Sequence, residues 1–197
     1  DAVTMKAETD GSEAFGNITF VDSGAVDFDS SGSSDGDLNI NASSTNGAVG
    51  GNLSITATTG NITQGIALAV TGTSSFTTSA NNTTITLSNT SNAFTGALTI
   101  TTNDDSNDRS YATIDGGTTA LIIATSTIDG DLTLTSGHAS GITDTGNVTV
   151  AGNLIATTDA NSGVIDMGTL RVDGTMALTT DGDGNATVVN DTLLDFA

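Results

Sequence analysis

The chain has 197 residues with no cysteine and no proline, and its 23 acidic and 3 basic residues give a formal net charge of −20. The lack of cysteine excludes disulfides and thiol chemistry. Nucleic acids and anionic membrane surfaces are bound by clustered Lys and Arg, so we expect a chain whose only cations are Lys6, Arg109 and Arg171 to bind neither. The sequence has no run of about 20 apolar residues, so we expect no membrane insertion.

The N-terminal part of the chain differs from the rest. Residues 1–15 are irregular in composition and predict a terminal cap or lead-in that closes the core. A first strand is expected at 16–20, and residues 22–37 form a polar, acidic turn region. We therefore predict a cap or lead-in over 1–35, and repeats over 36–197.

The middle of the chain repeats the pattern Gly-Asx-Leu-x-Ile. The segment 51–71 aligns with the later repeats, with Leu53 corresponding to Leu132. The next unit, 72–95, places Phe76, Ile85, Leu87 and Phe94 at apolar positions. Residues 102–110 are almost entirely polar and predict a loop, since insertions in solenoids go to loops. The apolar run 120–124 predicts a strand that is buried on both faces.

Three consecutive 22-residue units begin at Gly130, Gly152 and Gly174. The pattern predicts one apolar row of Leu132, Leu154 and Met176, and a parallel row of Leu134, Ala156 and Leu178. It predicts a further row of Ile142, Val164 and Ala186, and a fourth that joins Val148 to Leu170. A slip in the third unit is expected to bring Leu193 and Leu194 into this last row.

Alternating apolar and polar residues within each unit are typical of half-buried strands. Each run is short and is bounded by Gly, Asn, Asp or Ser, which favour turns. One unit cannot bury its apolar row alone, but stacked copies can. The sequence therefore predicts an all-β protein, a right-handed parallel β-helix (solenoid) with rungs of about 22 residues, about nine in number. The alternative is a β-sandwich fibre subunit.

Three stretches carry a family resemblance: GNLSITATTGNITQGIALAVTGTSSFTT (51–78), ANNTTITLSNTSNAFTGALTI (80–100) and TGNVTVAGNLIATT (145–158). They resemble the repeats of filamentous-haemagglutinin-like proteins of two-partner secretion and of β-helical autotransporter adhesins. The resemblance implies a right-handed parallel β-helix, export across the outer membrane, and a role in adhesion, aggregation or biofilm. The N-terminal secretion motifs of that family are not found in this chain.

Acidic turns offer candidate Ca²⁺ sites, since Ca²⁺ takes six to eight oxygen ligands. The best is the Gly-rich turn that holds Asp181, Asp183 and Asn185, although a simple turn explains it as well. The others are Asn103, Asp104 and Asp105 with Asp108, and Asp35 and Asp37 near Asp29. No cofactor is expected to be required.

Catalytic groups are scarce. His138 is the only histidine and is expected in a turn, so a Ser-His-Asp triad would depend on it. Paired carboxylates for glycoside hydrolysis are available by number, but the chain has no Trp and only Tyr111 for stacking against sugars. We predict that the protein is not an enzyme.

The expected function is that of an extracellular structural or adhesive segment on the bacterial cell surface. Its expected partners are further copies of itself in filaments, and a host surface, a neighbouring cell or a polysaccharide. One alternative is a β-sandwich surface-layer or fibre subunit that donates a strand from residues 1–20. A carbohydrate-active β-helix enzyme is another.

Overall fold

The computed structural model describes residues 16–29, 48–105 and 110–192, and the backbone of 3–5, 38–42 and 45–46. These residues form strands joined by turns and contain no helix. Within those ranges, no segment forms an apolar helix long enough to cross a membrane. The described strand pairs run parallel except for Leu38–Ala42 with Thr45–Asn46. The predicted parallel solenoid is confirmed, and the β-sandwich alternative is wrong, because a sandwich is built from antiparallel strands.

Two long faces each stack seven strands. The first face contains Ile18–Asp22, Leu53–Ala57, Ser74–Thr78, Leu98–Thr101, Ser126–Ile128, Val148–Val150 and the second half of Ile165–Val172. The second face contains Val26–Phe28, Ile62–Gln64, Ile85–Leu87, Ala112–Asp115, Leu132–Ser136, Leu154–Thr158 and Met176–Thr179.

A third side closes each turn of the coil. Its early strands are Ala48–Val49, Ala69–Val70 and Ala93–Phe94, and its later strands are Leu121–Ile123, Ile142–Asp144, the first half of Ile165–Val172, and Ala186–Asn190. Apart from the coil, Val3–Met5 pairs with Leu38–Ala42, which also pairs with Thr45–Asn46.

The inward positions form the predicted apolar ladders. Leu132 stacks on Leu154 and Leu154 on Met176, and the row of Leu134, Ala156 and Leu178 runs beside it. The interior also holds three aromatic rings in a line, with Phe76 in edge contact with Phe28 at 6.1 Å and with Phe94 at 6.0 Å between ring centroids. Burial of these ladders supplies the main stabilisation, at about 25 cal/mol per Å² of apolar surface.

Corners of the coil are held by glycine and asparagine. A Cβ on Gly72 would lie 2.6 Å from the carbonyl oxygen of Gly51, so only glycine fits where the backbones stack this closely. The side-chain oxygen of Asn17 accepts a bond from the N–H of Asn52 (2.8 Å), and that of Asn52 accepts one from the N–H of Thr73 (2.8 Å). These side-chain hydrogen bonds link adjacent levels of the coil.

The predicted number of nine rungs is wrong. Seven levels are stacked on each face, so the described coil rises six steps, or about 29 Å at 4.8 Å a step. Dividing the chain by 22 overestimates the number of levels because some steps are longer. Asn17 and Asn52 on adjacent levels are 35 residues apart, and Thr83 and Ser110 are 27 apart.

Two predicted correspondences are also wrong. Leu53 belongs to the first face, and the second-face column that contains Leu132 runs through Ile62, Ile85 and Ala112. The Gly-Asx-Leu pattern begins strands on both faces, so it does not identify the face. Val164 is displaced from its predicted row, since Ile142 pairs with Ile165. The preceding turn is unusual, with positive φ at Asn161 (56°) and Ser162 (49°).

Three further predictions concern the apolar run 120–124, the C-terminal leucines and the N-terminal region. In the run 120–124, Leu121 and Ile123 are fully buried but Ile122 is half-buried, so burial on both faces is wrong. The predicted positions of Leu193 and Leu194 lie outside the described residues. Ile18–Asp22 and Val26–Phe28 join the coil although they lie within 1–35. A capping role for 1–35 and the hand of the coil stay predictions.

Candidate functional site

Asp181, Asp183 and Asn185 lie in an exposed turn between Met176–Thr179 and Ala186–Asn190. The turn closes on itself, because the N–H of Gly184 donates to the carbonyl of Asp181 (2.9 Å). It also contacts the turn on the level before it. One Asp181 carboxylate oxygen accepts from the N–H of Ser162 (3.2 Å), and the N–H of Asp183 donates to the hydroxyl of Ser162 (3.3 Å). Its use as a Ca²⁺ site stays a prediction.

The other two acidic groups are only partly described. The N–H of Asp104 donates to a carboxylate oxygen of Asp129 (2.9 Å), and the side chain of Asn103 donates to the carbonyl of Ser79 (3.1 Å). Asp35, Asp37 and Asp108 lie outside the described residues. Across the described ranges, no three His or acidic side chains lie close enough to hold a metal ion.

His138 lies in the turn after Leu132–Ser136, as predicted. Its Nδ1 accepts a hydrogen bond from the N–H of Ser140 at 3.0 Å. This contact is local and holds the turn, and no carboxylate orients the ring among the described contacts.

A cleft that sequence reasoning missed lies between Asp115 and Asp159. It has a volume of about 250 Å³ and is also lined by Thr90, Gly137 and Asn161. Burial raises the pKa of Asp115, a hydrogen bond from the N–H of Gly117 opposes this, and repulsion from Asp159 adds to the rise. The two residues are 44 positions apart, so only knowledge of the register would have brought them together.

A second depression of about 500 Å³ lies near the C-terminal end of the first face. Its lining includes Arg171, Val189 and Asp191. The Arg171 guanidinium is 3.3 Å from the carboxylate of Asp173, and both side chains are largely exposed. The one described cation of this depression is thus already partnered.

The two ends of the coil differ in exposure. On the first level, Val26 and Phe28 are fully buried, and Leu38–Ala42 lies beside them. On the last level, the inward residues Met176, Leu178 and Val188 are only partly buried. Among the described strands, nothing stacks on Met176–Thr179 beyond its pairing with Leu154–Thr158. Among the described residues, the last level therefore has apolar side chains and strand edges that no further strand covers.

Comparisons with known proteins agree with the architecture. A family profile described as "Repeats of unknown function (DUF5649)" matches residues 15–101, which is less than half of the chain. No curated protein and no solved structure matches the chain. The chain is similar to this family over the first three levels of its coil and the first strand of the fourth, and it is a repeat protein with a β-solenoid fold.

Proposed function

We propose that the chain is a structural segment of an extracellular, adhesive surface protein, which forms a rod and associates with further copies of itself. The proposal rests mainly on the open last level of the coil. Unpaired strand edges are templates for pairing with another chain. In this coil they lie beside half-buried Met176, Leu178 and Val188, so a second copy would cover both apolar surface and backbone groups.

Composition and charge suit a rod that associates at one end. The thin aliphatic core and the absence of cysteine and proline suit a chain made of stacked strands. The net charge of −20 keeps the sides of the rod apart. Association is therefore expected at the end of the coil, where apolar surface outweighs repulsion.

Sedimentation velocity over a range of protein concentrations tests the proposal. The chain should form larger species as its concentration rises, and negative-stain images should show rods. Leu178→Asp places a charge on the open level and should abolish association. Ala177→Asp makes the same change of charge on the neighbouring, outward-facing residue and should have little effect. A chain that stays monomeric throughout, or equal effects of both substitutions, would overturn the proposal.

The cleft between Asp115 and Asp159 favours a second candidate, a carbohydrate-active enzyme. Glycosidases pair an acid of raised pKa with an ionised carboxylate, and Asp115 has a raised pKa beside Asp159. The absence of Trp makes this candidate weaker. Incubation with a panel of polysaccharides tests it. Steady release of product that is lost in Asp115→Asn would establish the activity, and no release by the wild-type chain would reject it.

A further inference from the structure

The outward side of the first face carries a two-column array of hydroxyl groups on three consecutive levels. Ser54, Ser75 and Thr99 align in one column. Thr56, Thr77 and Thr101 align in the next. We call these six residues the hydroxyl face. The second column continues through Thr127 and Thr149.

These hydroxyl groups are free to bond to solvent. None of the six makes a side-chain hydrogen bond within the described part of the chain, in contrast to the hydroxyls at the corners. Thr58, for example, donates to the carbonyl of Asp22 at 2.9 Å, and Thr175 donates to the side chain of Asn153 at 2.8 Å. The side chains of the hydroxyl face therefore keep their full capacity as donors and acceptors.

Charge is absent from this array although the chain is strongly acidic. The chain has 23 acidic residues, yet all six positions carry Ser or Thr. The preference of threonine for strands favours threonine at each of these positions, and with 23 acidic residues in 197 six uncharged positions are ordinary, so the register of the hydroxyl groups distinguishes the array. The first column begins at Thr19, and the second is bounded by Val21 and Arg171.

The sheet fixes the spacing of the array in two directions. Adjacent strands lie about 4.8 Å apart, and alternate residues of one strand lie about 6.6 Å apart. Oxygen atoms repeat at spacings of this size on the faces of an ice crystal. Each threonine also places a methyl group beside its hydroxyl, so water between the columns is held by a polar and an apolar neighbour at once.

We propose that the hydroxyl face binds the surface of ice. Each contact with a water molecule is weak, but the rigid sheet presents many contacts in a fixed register, and simultaneous contacts multiply the overall affinity. Ordered water is already immobilised in ice, so the entropic cost of fixing a bridging water is small. This proposal does not depend on self-association through the open end of the coil.

The second face provides an internal control, because the carboxylate of Asp115 interrupts its array of hydroxyl groups. Thr86, Thr113 and Thr133 align in one column, but the column continues through Ile155 and Ala177. In the neighbouring column Asp115 precedes Thr135, Thr157 and Thr179, so Thr113 lies beside a carboxylate where Thr77 lies beside a second hydroxyl. Thr113 is an outward, half-buried residue like Thr77, so the same substitution can be compared at the two sites.

The experiment measures adsorption of the fluorescently labelled chain to a growing ice crystal, together with inhibition of ice recrystallisation. The wild-type chain should coat the crystal and slow recrystallisation. Thr77→Tyr inserts a bulky ring at the centre of the hydroxyl face and should reduce adsorption at least tenfold. Thr113→Tyr should leave it unchanged. The midpoint of thermal unfolding shows whether each variant is folded.

A second variant separates shape from hydroxyl chemistry. Thr77→Val keeps the size and the strand preference of the residue but removes the hydroxyl, and it should weaken adsorption less than Thr77→Tyr does. If the wild-type chain fails to adsorb to ice, the proposal is wrong. If Thr77→Tyr is folded and adsorbs as the wild type does, or if Thr113→Tyr loses as much adsorption, the assignment to the hydroxyl face is overturned.

Discussion

The side-chain amides of Gln64 and Asn92 pair with each other through two hydrogen bonds, of 2.8 and 2.9 Å. Asn92 is almost completely buried. Its oxygen also accepts from the N–H of Leu68 (2.9 Å), and the two hydrogens of its nitrogen are shared among the Gln64 oxygen and the carbonyls of Leu87 (3.1 Å) and Asp115 (3.0 Å). One amide therefore joins strands on three consecutive levels of the coil, and its hydrogen-bonding capacity is satisfied.

Replacing Asn92 with alanine is expected to lower the free energy of unfolding by at least about 3 kcal/mol. The reason is that several buried backbone groups lose their partners, and each such group costs about 1–3 kcal/mol. Chemical denaturation measures the change. Asn61→Ala is the control, since its exposed side chain accepts one bond, from the N–H of Thr84 (2.9 Å); it should cost about 1 kcal/mol or less. If both variants lose the same free energy of unfolding, the contacts of Asn92 stabilise the protein no more than one exposed hydrogen bond does.

Substitutions in the apolar ladders are expected to lower the free energy of unfolding more than substitutions elsewhere on the second face. Leu134 is fully buried between Ile114 and Ala156. Leu134→Ala should lower the free energy of unfolding by about 2–5 kcal/mol, because it removes buried methyl groups and leaves a cavity. Thr133→Ala, one residue away and facing outward, should change it by about 0.5 kcal/mol or less. Urea denaturation of both variants provides the comparison.

The repeat of the sequence was sufficient to predict the fold class and the ladders of the last three units. Leu132, Leu154 and Met176 lie 22 residues apart without insertions, so alignment in sequence became alignment in space. Earlier levels are separated by unequal insertions, and the same Gly-Asx-Leu pattern starts strands on two faces. The count of levels and the partner of Leu53 could not be obtained from the pattern alone.

The candidate sites were less predictable than the fold because they depend on register between levels. Asp115 and Asp159 belong to different units, and neither stands in a recognisable motif. The Gln64 and Asn92 amides are likewise 28 residues apart. The sequence shows that Ser and Thr alternate with core residues on the first face. Their alignment in columns is seen only once the register of Thr56, Thr77 and Thr101 is known.

Gly141 is expected to tolerate no side chain. Its φ is 59°, and an added Cβ would lie 1.8 Å from the carbonyl oxygen of Val164. Gly141→Ala should therefore lower the free energy of unfolding by more than the roughly 1–2 kcal/mol that a left-handed conformation costs alone. Gly168→Ala is the matched control, because a Cβ there meets nothing within 4 Å. Thermal unfolding of both variants tests the difference, and a Gly141→Ala variant as stable as Gly168→Ala would contradict it.

Removing the charge of Asp115 is expected to stabilise the protein at neutral pH. Burial is the main cause that raises the pKa of this residue above 3.8, and repulsion from Asp159 adds to it. A raised pKa means that the folded state holds the proton more tightly than the unfolded state. Stability therefore decreases as the pH rises from about 3.8 through the folded-state pKa, and this loss persists at higher pH.

Asp115→Asn keeps an oxygen that can accept from the N–H of Gly117, which donates to Asp115 at 2.7 Å. At pH 7 it should raise the free energy of unfolding by about 0.5 kcal/mol, a small amount because the carboxyl is partly exposed and screened. At pH 3 the two proteins should differ little, since the wild-type carboxyl is then largely protonated. Asp166→Asn is the control, because it removes the same charge from an exposed outward position. Its effect on stability measures how much the loss of any one negative charge stabilises a chain of net charge −20. Chemical denaturation at both pH values provides the test. If Asp115→Asn lowers the free energy of unfolding equally at pH 3 and pH 7, the residue acts through its hydrogen bond rather than its charge.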